Sequence, residues 1–192
     1  MAELVLAGVL GYLLGAIPTG VLISRLLRAP DVRQQGSGHT GGLNVSRTAG
    51  LWAGVATGLV DALLGLAAVS GAALLTDNPW AITAAGVMAV AGHNWSVFIG
   101  FGGGVGLSTL VGALFRISPL HTIGGLAILA LFWLILVRLL RAHRARATIL
   151  TMAFIGPLLW AFRLPWPTIL LGALGGVMVI LKTLPDWNRL YD

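Results

Sequence analysis

Long apolar segments with almost no charged side chains dominate this sequence. In residues 50–75 and 166–183, the only charged residues are Asp61 and Lys182 respectively. Charged residues make up 9% of the 192 residues, and there is no cysteine. A soluble fold needs polar side chains to cover its surface, so a cytosolic enzyme domain, a disordered chain and a disulfide-linked secreted module are excluded. The sequence therefore predicts an integral membrane protein.

The apolar runs predict an all-α fold, a polytopic membrane helical bundle that forms a single domain over residues 1–192. A spanning helix needs about 20 apolar residues, so the chain has room for about seven. The fourth run is short and starts with glycine, so a re-entrant half-helix is the alternative there. The predicted spans are residues 3–26, 50–75, 79–99, 104–117, 119–140, 147–163 and 166–183.

The basic residues predict the orientation of this bundle. With seven crossings and the N-terminus outside, ten of the twelve Lys and Arg residues face the cytoplasm, and only Arg116 and Arg163 do not. If residues 104–117 did not cross, the arginines at 138–146 would lie outside, against the positive-inside rule. We therefore predict seven crossings and a cytoplasmic C-terminus. Basic clusters separated by apolar runs also argue against a nucleic-acid partner.

Glycine pairs with a spacing of four residues occur inside three predicted spans. This spacing places both glycines on one helix face, where they allow a neighbouring helix to approach closely. We interpret these pairs as packing residues. They are Gly11 and Gly15, Gly54 and Gly58, and Gly172 and Gly176.

Two further glycine-rich segments lie at predicted span ends on the cytoplasmic side. We call residues 35–47 the first glycine segment and residues 100–109 the second glycine segment. Glycine-rich backbone that leads into a helix directs several N–H groups and the positive end of the helix dipole toward one point. Flexible loops with helix-capping Ser and Asn are the alternative. Because both segments fall on one side, we favour a phosphate site.

The phosphate-site hypothesis assigns roles by the donors that each residue carries. Ser37, Asn44 and Arg47 fit phosphate oxygens, and Arg47 can bind them through two parallel hydrogen bonds. His93 precedes the second glycine segment and is interpreted as a base, a phosphate donor or a packed structural histidine. The remaining candidates for substrate binding are Gly36, Gly38, Gly102, Gly103, Gly104, Gly106 and Thr109.

Asp61 lies inside an apolar run, where a carboxylate is costly and is by default a candidate functional residue. It either takes part directly in the chemistry or is a structural residue that orients Arg47 or a glycine segment. We assign it to structural support. The four histidines lack the spacing of a metal-ligand set, so neither a metal nor a cofactor is expected.

Along these motifs the sequence resembles the bacterial acyl-phosphate:glycerol-3-phosphate acyltransferases (PlsY type). The resemblance implies a seven-span protein of the bacterial cytoplasmic membrane, surrounded by lipid, with catalytic residues Ser37, Arg47 and His93. It also implies acyl transfer from acyl phosphate to the 1-hydroxyl of glycerol 3-phosphate, which gives lysophosphatidate and inorganic phosphate. The matching residues are 15–20, 31–33, 36–38, 41, 44–45, 47, 61–63, 92–93, 97–98, 101, 103–104, 106 and 109.

The chain departs from the pattern of this family at several positions. Each lost charge-assisted contact costs about 1.5–3 kcal/mol, so Arg144 or Arg146 is a candidate to replace missing positive charge. The alternative is a catalytically degenerate member that acts as a lipid-binding or scaffold subunit and binds membrane-protein partner subunits. A solute transporter is disfavoured because paired broken helices are missing. The family has Asn at the position of His39, Lys at those of Leu64, Gly102 and Val105, and His and Asn at those of Thr183 and Asp186.

Overall fold

The computed structural model describes residues 1–189, which form ten α-helices and no named β-strand. Short 3-10 turns follow several of the helices, and α7 continues into a π-helical turn, Ile135–Leu139. The helices are α1 (Ala2–Gly15), α2 (Thr19–Leu26), α3 (Gly42–Ala49), α4 (Leu51–Leu75), α5 (Pro79–Asn94), α6 (Leu107–Ile117), α7 (Pro119–Leu134), α8 (Arg144–Ala153), α9 (Ile155–Ala161) and α10 (Trp166–Thr183).

The chain passes back and forth between two ends of the molecule. At one end, which we call the opposite end because it lies across the molecule from the glycine segments, two hydrogen bonds join the passes. Thr76 donates to the Glu3 carboxylate at 2.7 Å, and Thr83 donates to the Pro167 carbonyl at 3.0 Å. At the other end the two glycine segments, the loop after α7 and the C-terminal segment meet, and we call this the polar end. The passes are α1 with α2, α4, α5, α6, α7, α8 with α9, and α10.

Four helical stretches are long and apolar enough to cross a membrane, judged by length and composition. They are Ala2–Leu26, Leu51–Leu75, Pro119–Leu139 and Trp166–Asp186. The other three passes differ from the predicted spans. Helix α5 ends at Asn94 rather than at residue 99, and the predicted span 147–163 is two helices separated at Phe154. Helix α6 has 11 residues, or about 16 Å at 1.5 Å per residue.

Backbone breaks at Pro18 and Gly50 shape the polar end. Pro18 has no N–H and ends the first helical stretch, so the predicted span 3–26 is two helices. Gly50 has φ +97°, which reverses the chain between α3 and α4. Helix α3 then folds back along α4, where a Cβ at Gly42 would lie 2.5 Å from the Gly54 carbonyl oxygen.

Glycines bring the helix pairs into close contact, as their spacing predicts. A Cβ at Gly11 would lie 2.1 Å from the Ala85 oxygen, and one at Gly15 would lie 1.9 Å from the Ala89 oxygen. Since real Cβ atoms cannot approach backbone so closely, α1 and α5 require glycine at these crossings. Gly172 and Gly176 pack against α8 and α9, mainly against the side chains of Leu159 and Ile155. Gly58 has only the Ser108 hydroxyl near it, at 3.6 Å.

Candidate functional site

A polar cavity of about 420 Å³ lies at the polar end, between the two glycine segments and helix α4. The N-termini of α3 and α6 both open into it, because Gly42 and Leu43 of α3 and Leu107 and Ser108 of α6 line its wall. The polar side chains that line it are Ser37, His39, Asn44, Ser46, Asp61, His93 and Ser108. We call it the polar cavity.

Asn44 organises the first glycine segment from within. Its Nδ2 donates to the carbonyl oxygens of Val32, Gln35 and His39 at 2.9, 3.0 and 2.9 Å. Its Oδ1 accepts from the backbone N–H of Ser37 at 3.3 Å, and the residue is only 3% exposed. The amide hydrogens are therefore used by the segment itself. The structure makes Asn44 a positioning residue, and a direct contact with phosphate stays a prediction.

A backbone hydrogen bond joins the two glycine segments. The N–H of Thr40 in the first segment donates to the carbonyl of Gly103 in the second at 3.2 Å. The N–H groups of Gly102 and Gly104 donate to the carbonyls of Ile99 and His93. These two N–H groups therefore bond carbonyl oxygens of the protein and do not point into the polar cavity. This corrects the expectation that they bind a phosphate group.

The second glycine segment reaches the polar cavity through its last residues. Gly106 lines the cavity, whereas Gly102, Gly103 and Gly104 lie behind it and support the loop. Thr109, which was expected to bind substrate, is buried against α4 and does not line the cavity. Its neighbour Ser108 lines the cavity instead, since one residue rotates a helix position by about 100°.

Asp61 and His93 form a buried polar cluster at the base of the polar cavity. Thr19 Oγ1 donates to Asp61 Oδ1, and His93 Nδ1 lies 3.6 Å from the same oxygen. The His93 ring packs against the second glycine segment so tightly that a Cβ at Gly104 would lie 2.1 Å from His93 Nε2. Asp61 thus supports that segment through His93. Within residues 1–189, the hydrogen bonds and ion pairs of the Asp61 side chain are with Thr19 and His93.

The other predicted residues of the first glycine segment occupy different positions. Gly36 and Gly38 have φ +50° and +74° and flank Ser37, which lies on the cavity wall. Glycine suits such left-handed positions because it has no Cβ. Arg47 is exposed in the last turn of α3 and is not part of the cavity wall.

A contact that the sequence did not reveal joins the first glycine segment to the C-terminal segment. His39 Nε2 lies 2.6 Å from Asp186 Oδ2. Arg189 donates to the Ser37 carbonyl oxygen at 3.1 Å and lies 3.5 Å from Asp186 Oδ1. His39 and Asp186 are 147 positions apart. No local spacing could indicate this pair, although both residues stand where the sequence departs from the family pattern.

Two arginines at the polar end make their contacts outside the polar cavity. Arg33 hydrogen-bonds the Asp31 carboxylate and lowers the pKa of Asp31 to about 2. Arg146 bonds the Trp187 carbonyl and the Asn188 side chain, so it does not replace the missing lysines of the cavity. In the described residues, the cavity wall contains neither Lys nor Arg.

An apolar groove of about 500 Å³ adjoins the polar cavity. Helices α6 to α9 line it, with Leu110, Leu129, Trp133 and Met152 on its wall. Leu107 lines both the groove and the polar cavity, so the two spaces meet at the start of α6. A molecule with a polar head and an apolar tail fits this arrangement.

The family model described as glycerol-3-phosphate acyltransferase matches residues 5–192. The chain belongs to the glycerol-3-phosphate acyltransferase family. A relative from Moorella thermoacetica named glycerol-3-phosphate acyltransferase 2 is 38% identical over 190 residues, which cover 96% of this chain and 92% of the relative. The predicted family is confirmed.

Two crystal structures of PlsY (YgiH), described as an integral membrane glycerol 3-phosphate acyltransferase, share this architecture. The lysophosphatidic acid form has a TM-score of 0.80 at 28% identity, and the glycerol 3-phosphate form has 0.78 at 29%. Each comparison covers 97% of this chain and 90% of the other. The likeness to these structures confirms the all-helical membrane fold of this member of the glycerol-3-phosphate acyltransferase family.

Proposed function

We propose that this protein transfers a fatty acyl group from acyl phosphate to the 1-hydroxyl of glycerol 3-phosphate and releases lysophosphatidate and inorganic phosphate. The observation that carries the proposal is the polar cavity that meets an apolar groove at Leu107. Both substrates carry a phosphate group, and one of them also carries a long apolar chain. Membership of the family supports the same reaction.

The two helix N-termini supply the anion-binding part of the site. The N–H groups of the first turn of a helix have no partner within the helix, and the helix dipole adds positive potential there. Helices α3 and α6 both direct this end into the polar cavity. Two anionic substrates would therefore be bound with little help from lysine side chains, with Ser37 and Ser108 adding hydroxyl donors.

Catalysis follows from placement and charge stabilisation in this proposal. Acyl phosphate is already activated, so holding the acceptor hydroxyl close to the acyl carbon removes much of the barrier. The family resemblance assigns Arg47 to phosphate binding, which a guanidinium can provide with two hydrogen bonds. It would act from the last turn of α3, outside the cavity wall. Asn44 and His93 fix the two glycine segments, and Asp61 fixes His93.

The apolar groove is our candidate site for the acyl chain. Its described wall consists mostly of aliphatic and aromatic side chains from α6 to α9. Burying each CH₂ group of a chain contributes about 0.8 kcal/mol. The acyl chain of the substrate would extend from the polar cavity at Leu107 toward Trp133 and Met152. Its carbonyl carbon would stay in the polar cavity.

The proposed location is the bacterial cytoplasmic membrane, with seven crossings, the N-terminus outside and the polar end in the cytoplasm. The polar end carries most of the Lys and Arg residues, in agreement with the positive-inside rule. Glycerol 3-phosphate is soluble in water and would enter the polar cavity from this side, whereas the acyl chain would come from the lipid.

Reconstitution in liposomes tests the proposed reaction. The purified protein is supplied with acyl phosphate and glycerol 3-phosphate, and lysophosphatidate is measured by mass spectrometry together with released phosphate. Product is expected only when both substrates are present. Arg47→Ala should lower the rate, while Arg116→Ala, at the opposite end, should not. If Arg47→Ala leaves the rate unchanged, the role of Arg47 is wrong.

A scaffold role is the second candidate, because the described cavity wall lacks Lys and Arg. A degenerate member would bind lipid and partner subunits without turning over substrate. A correctly folded, reconstituted protein that forms no lysophosphatidate and purifies together with other membrane proteins would favour this role. Turnover of both substrates would exclude it.

A further inference from the structure

His39 is a cavity residue whose ring is fixed by a carboxylate. Its Nε2 lies 2.6 Å from Asp186 Oδ2, and the side chains of His39 and Asp186 are 18% and 5% exposed. The His39 backbone is fixed as well, because its carbonyl accepts from Asn44 at 2.9 Å. The imidazole is thus held on the wall of the polar cavity by contacts at its ring and at its backbone.

Asp186 is held in place from the other side. It lies in the turn Leu184–Asp186 that follows α10, and Arg189 approaches its Oδ1 at 3.5 Å. Arg189 also donates to the Ser37 carbonyl at 3.1 Å. The carboxylate is therefore connected to the first glycine segment through both of its oxygens.

The hydrogen bond to Asp186 determines which ring nitrogen of His39 can accept a proton. A carboxylate only accepts hydrogen bonds, so Nε2 carries the hydrogen in a neutral ring and Nδ1 keeps its lone pair. In residues 1–189 no hydrogen bond engages Nδ1. An imidazole that is oriented by a carboxylate and has its other nitrogen free is the arrangement of a general base.

We propose that His39, oriented by Asp186, is the general base that deprotonates the acceptor hydroxyl. This inference rests on the proposed acyl transfer. The hydroxyl oxygen of glycerol 3-phosphate forms a bond to the acyl carbon as Nδ1 of His39 takes its proton. The bond between the acyl carbon and the phosphate oxygen then breaks, and phosphate leaves with that electron pair. The imidazolium returns the proton to the departing phosphate, which restores the neutral ring.

The charged and titratable groups around His39 come from three parts of the chain. Asp186, Arg189 and Lys182 approach from the C-terminal segment and the end of α10, and His93 and Asp61 lie across the polar cavity. Of these groups, Asp186 is the one that makes direct contact with the His39 ring. A pH profile that changes with His39 would therefore separate this histidine from His93.

The variant His39→Asn tests the proposal, because Asn can still donate to Asp186 and cannot take a proton. In liposomes with acyl phosphate and glycerol 3-phosphate, we expect kcat to fall by about 10²- to 10⁴-fold. KM for glycerol 3-phosphate should stay nearly constant. The rise of kcat with pH through the range where imidazole loses its proton should disappear. Asp186→Asn should lower kcat and keep that rise, because the imidazole remains.

The control is Asp77→Asn, the same acid-to-amide change as Asp186→Asn, at an exposed position between α4 and α5 at the opposite end. It should retain the kcat and the pH profile of the wild type. The proposal is overturned if His39→Asn keeps a wild-type kcat, or if its rate falls while the pH profile is unchanged, since the latter marks a structural role. A wild type that forms no lysophosphatidate contradicts the proposed function itself, whereas an active wild type with a fully active His39→Asn contradicts only the base.

Discussion

The side chain of Asn44 alone bonds three backbone carbonyls of the first glycine segment and its neighbourhood, so its substitution should destabilise that segment strongly. In Asn44→Ala, the carbonyls of Val32, Gln35 and His39 lose their common donor. An unsatisfied buried polar group costs about 1–3 kcal/mol. We expect a lower unfolding temperature in detergent, measured by tryptophan fluorescence, and loss of acyltransferase activity.

The control for this variant is Asn188→Ala, because Asn188 is exposed and bonds only Arg146 among the described residues. Exposed contacts of this kind change stability by less than about 0.5 kcal/mol. Equal unfolding temperatures for the two variants would show that the Asn44 amide does not hold the segment.

Position 104 requires glycine because a neighbouring side chain leaves no space for a Cβ, and not because of its backbone angles. In Gly104→Ala, the new Cβ would lie 2.1 Å from His93 Nε2. The ring or the loop must move, which typically costs about 1–3 kcal/mol. We expect activity to fall with little change in expression, measured as lysophosphatidate formed per folded protein. Gly124→Ala, with no atom within 4 Å of its Cβ, should remain fully active, and similar losses in both variants would contradict the packing argument.

The local part of the candidate site could be predicted only in part, because Arg47, Thr109 and residues 102–104 lie outside the cavity wall. Ser37, Asn44 and the glycine segments could be located because left-handed turns and helix starts leave a local signal in glycine spacing. The contacts of Asp61 with Thr19, and of His39 with Asp186, depend on how distant helices pack. Local spacing contains no information about such pairs, so they emerge only from the fold.

At the level of helices, the crossing of α1 and α5 depends on small residues. In Gly15→Ala, the Cβ would lie 1.9 Å from the Ala89 carbonyl oxygen, so the two helices must separate. We expect a loss of about 1–3 kcal/mol, as for overpacked cores, measured by unfolding in detergent. Gly8→Ala in the same helix is the control, because its Cβ would lie 3.5 Å from Met88 Cγ, an ordinary contact.

Gly8→Ala should be neutral or stabilising by about 0.4–1 kcal/mol, because alanine restricts the unfolded chain. The close-packing interpretation of α1 and α5 fails if Gly15→Ala is as stable as Gly8→Ala.

Hydropathy located the helical passes better than it located their breaks. An apolar run indicates which residues are buried in lipid or protein. It does not indicate where the backbone bends or where a helix breaks. The start of α4 and both ends of α10 therefore lie within one residue of the prediction. The division of the first span at Pro18, the fold-back of α3 and the break at Phe154 depend on individual backbone angles and packing, which hydropathy does not measure.

At the scale of the whole molecule, several polar segments that are distant in the chain lie together at the polar end. His143 bonds the Arg189 carbonyl at 2.9 Å, and Arg189 in turn donates to the Ser37 carbonyl at 3.1 Å. The loop after α7, the C-terminal segment and the first glycine segment therefore share one face. We therefore predict that an even number of membrane crossings separates each pair of these segments, which requires α6 to complete a crossing despite its 11 residues.

Single-cysteine labelling tests this topology directly, because the chain has no native cysteine. Gln34→Cys and Arg144→Cys place thiols at the polar end, and Asp77→Cys and Arg163→Cys place them at the opposite end. In intact bacteria, a membrane-impermeant maleimide should label only the Asp77 and Arg163 variants, and permeabilisation should expose the other two. Labelling of Gln34→Cys and Arg144→Cys from different faces would mean that α6 does not cross. Labelling of both from outside would show that the orientation is the reverse of the one proposed. The arginine-rich polar end would then lie outside, against the positive-inside rule.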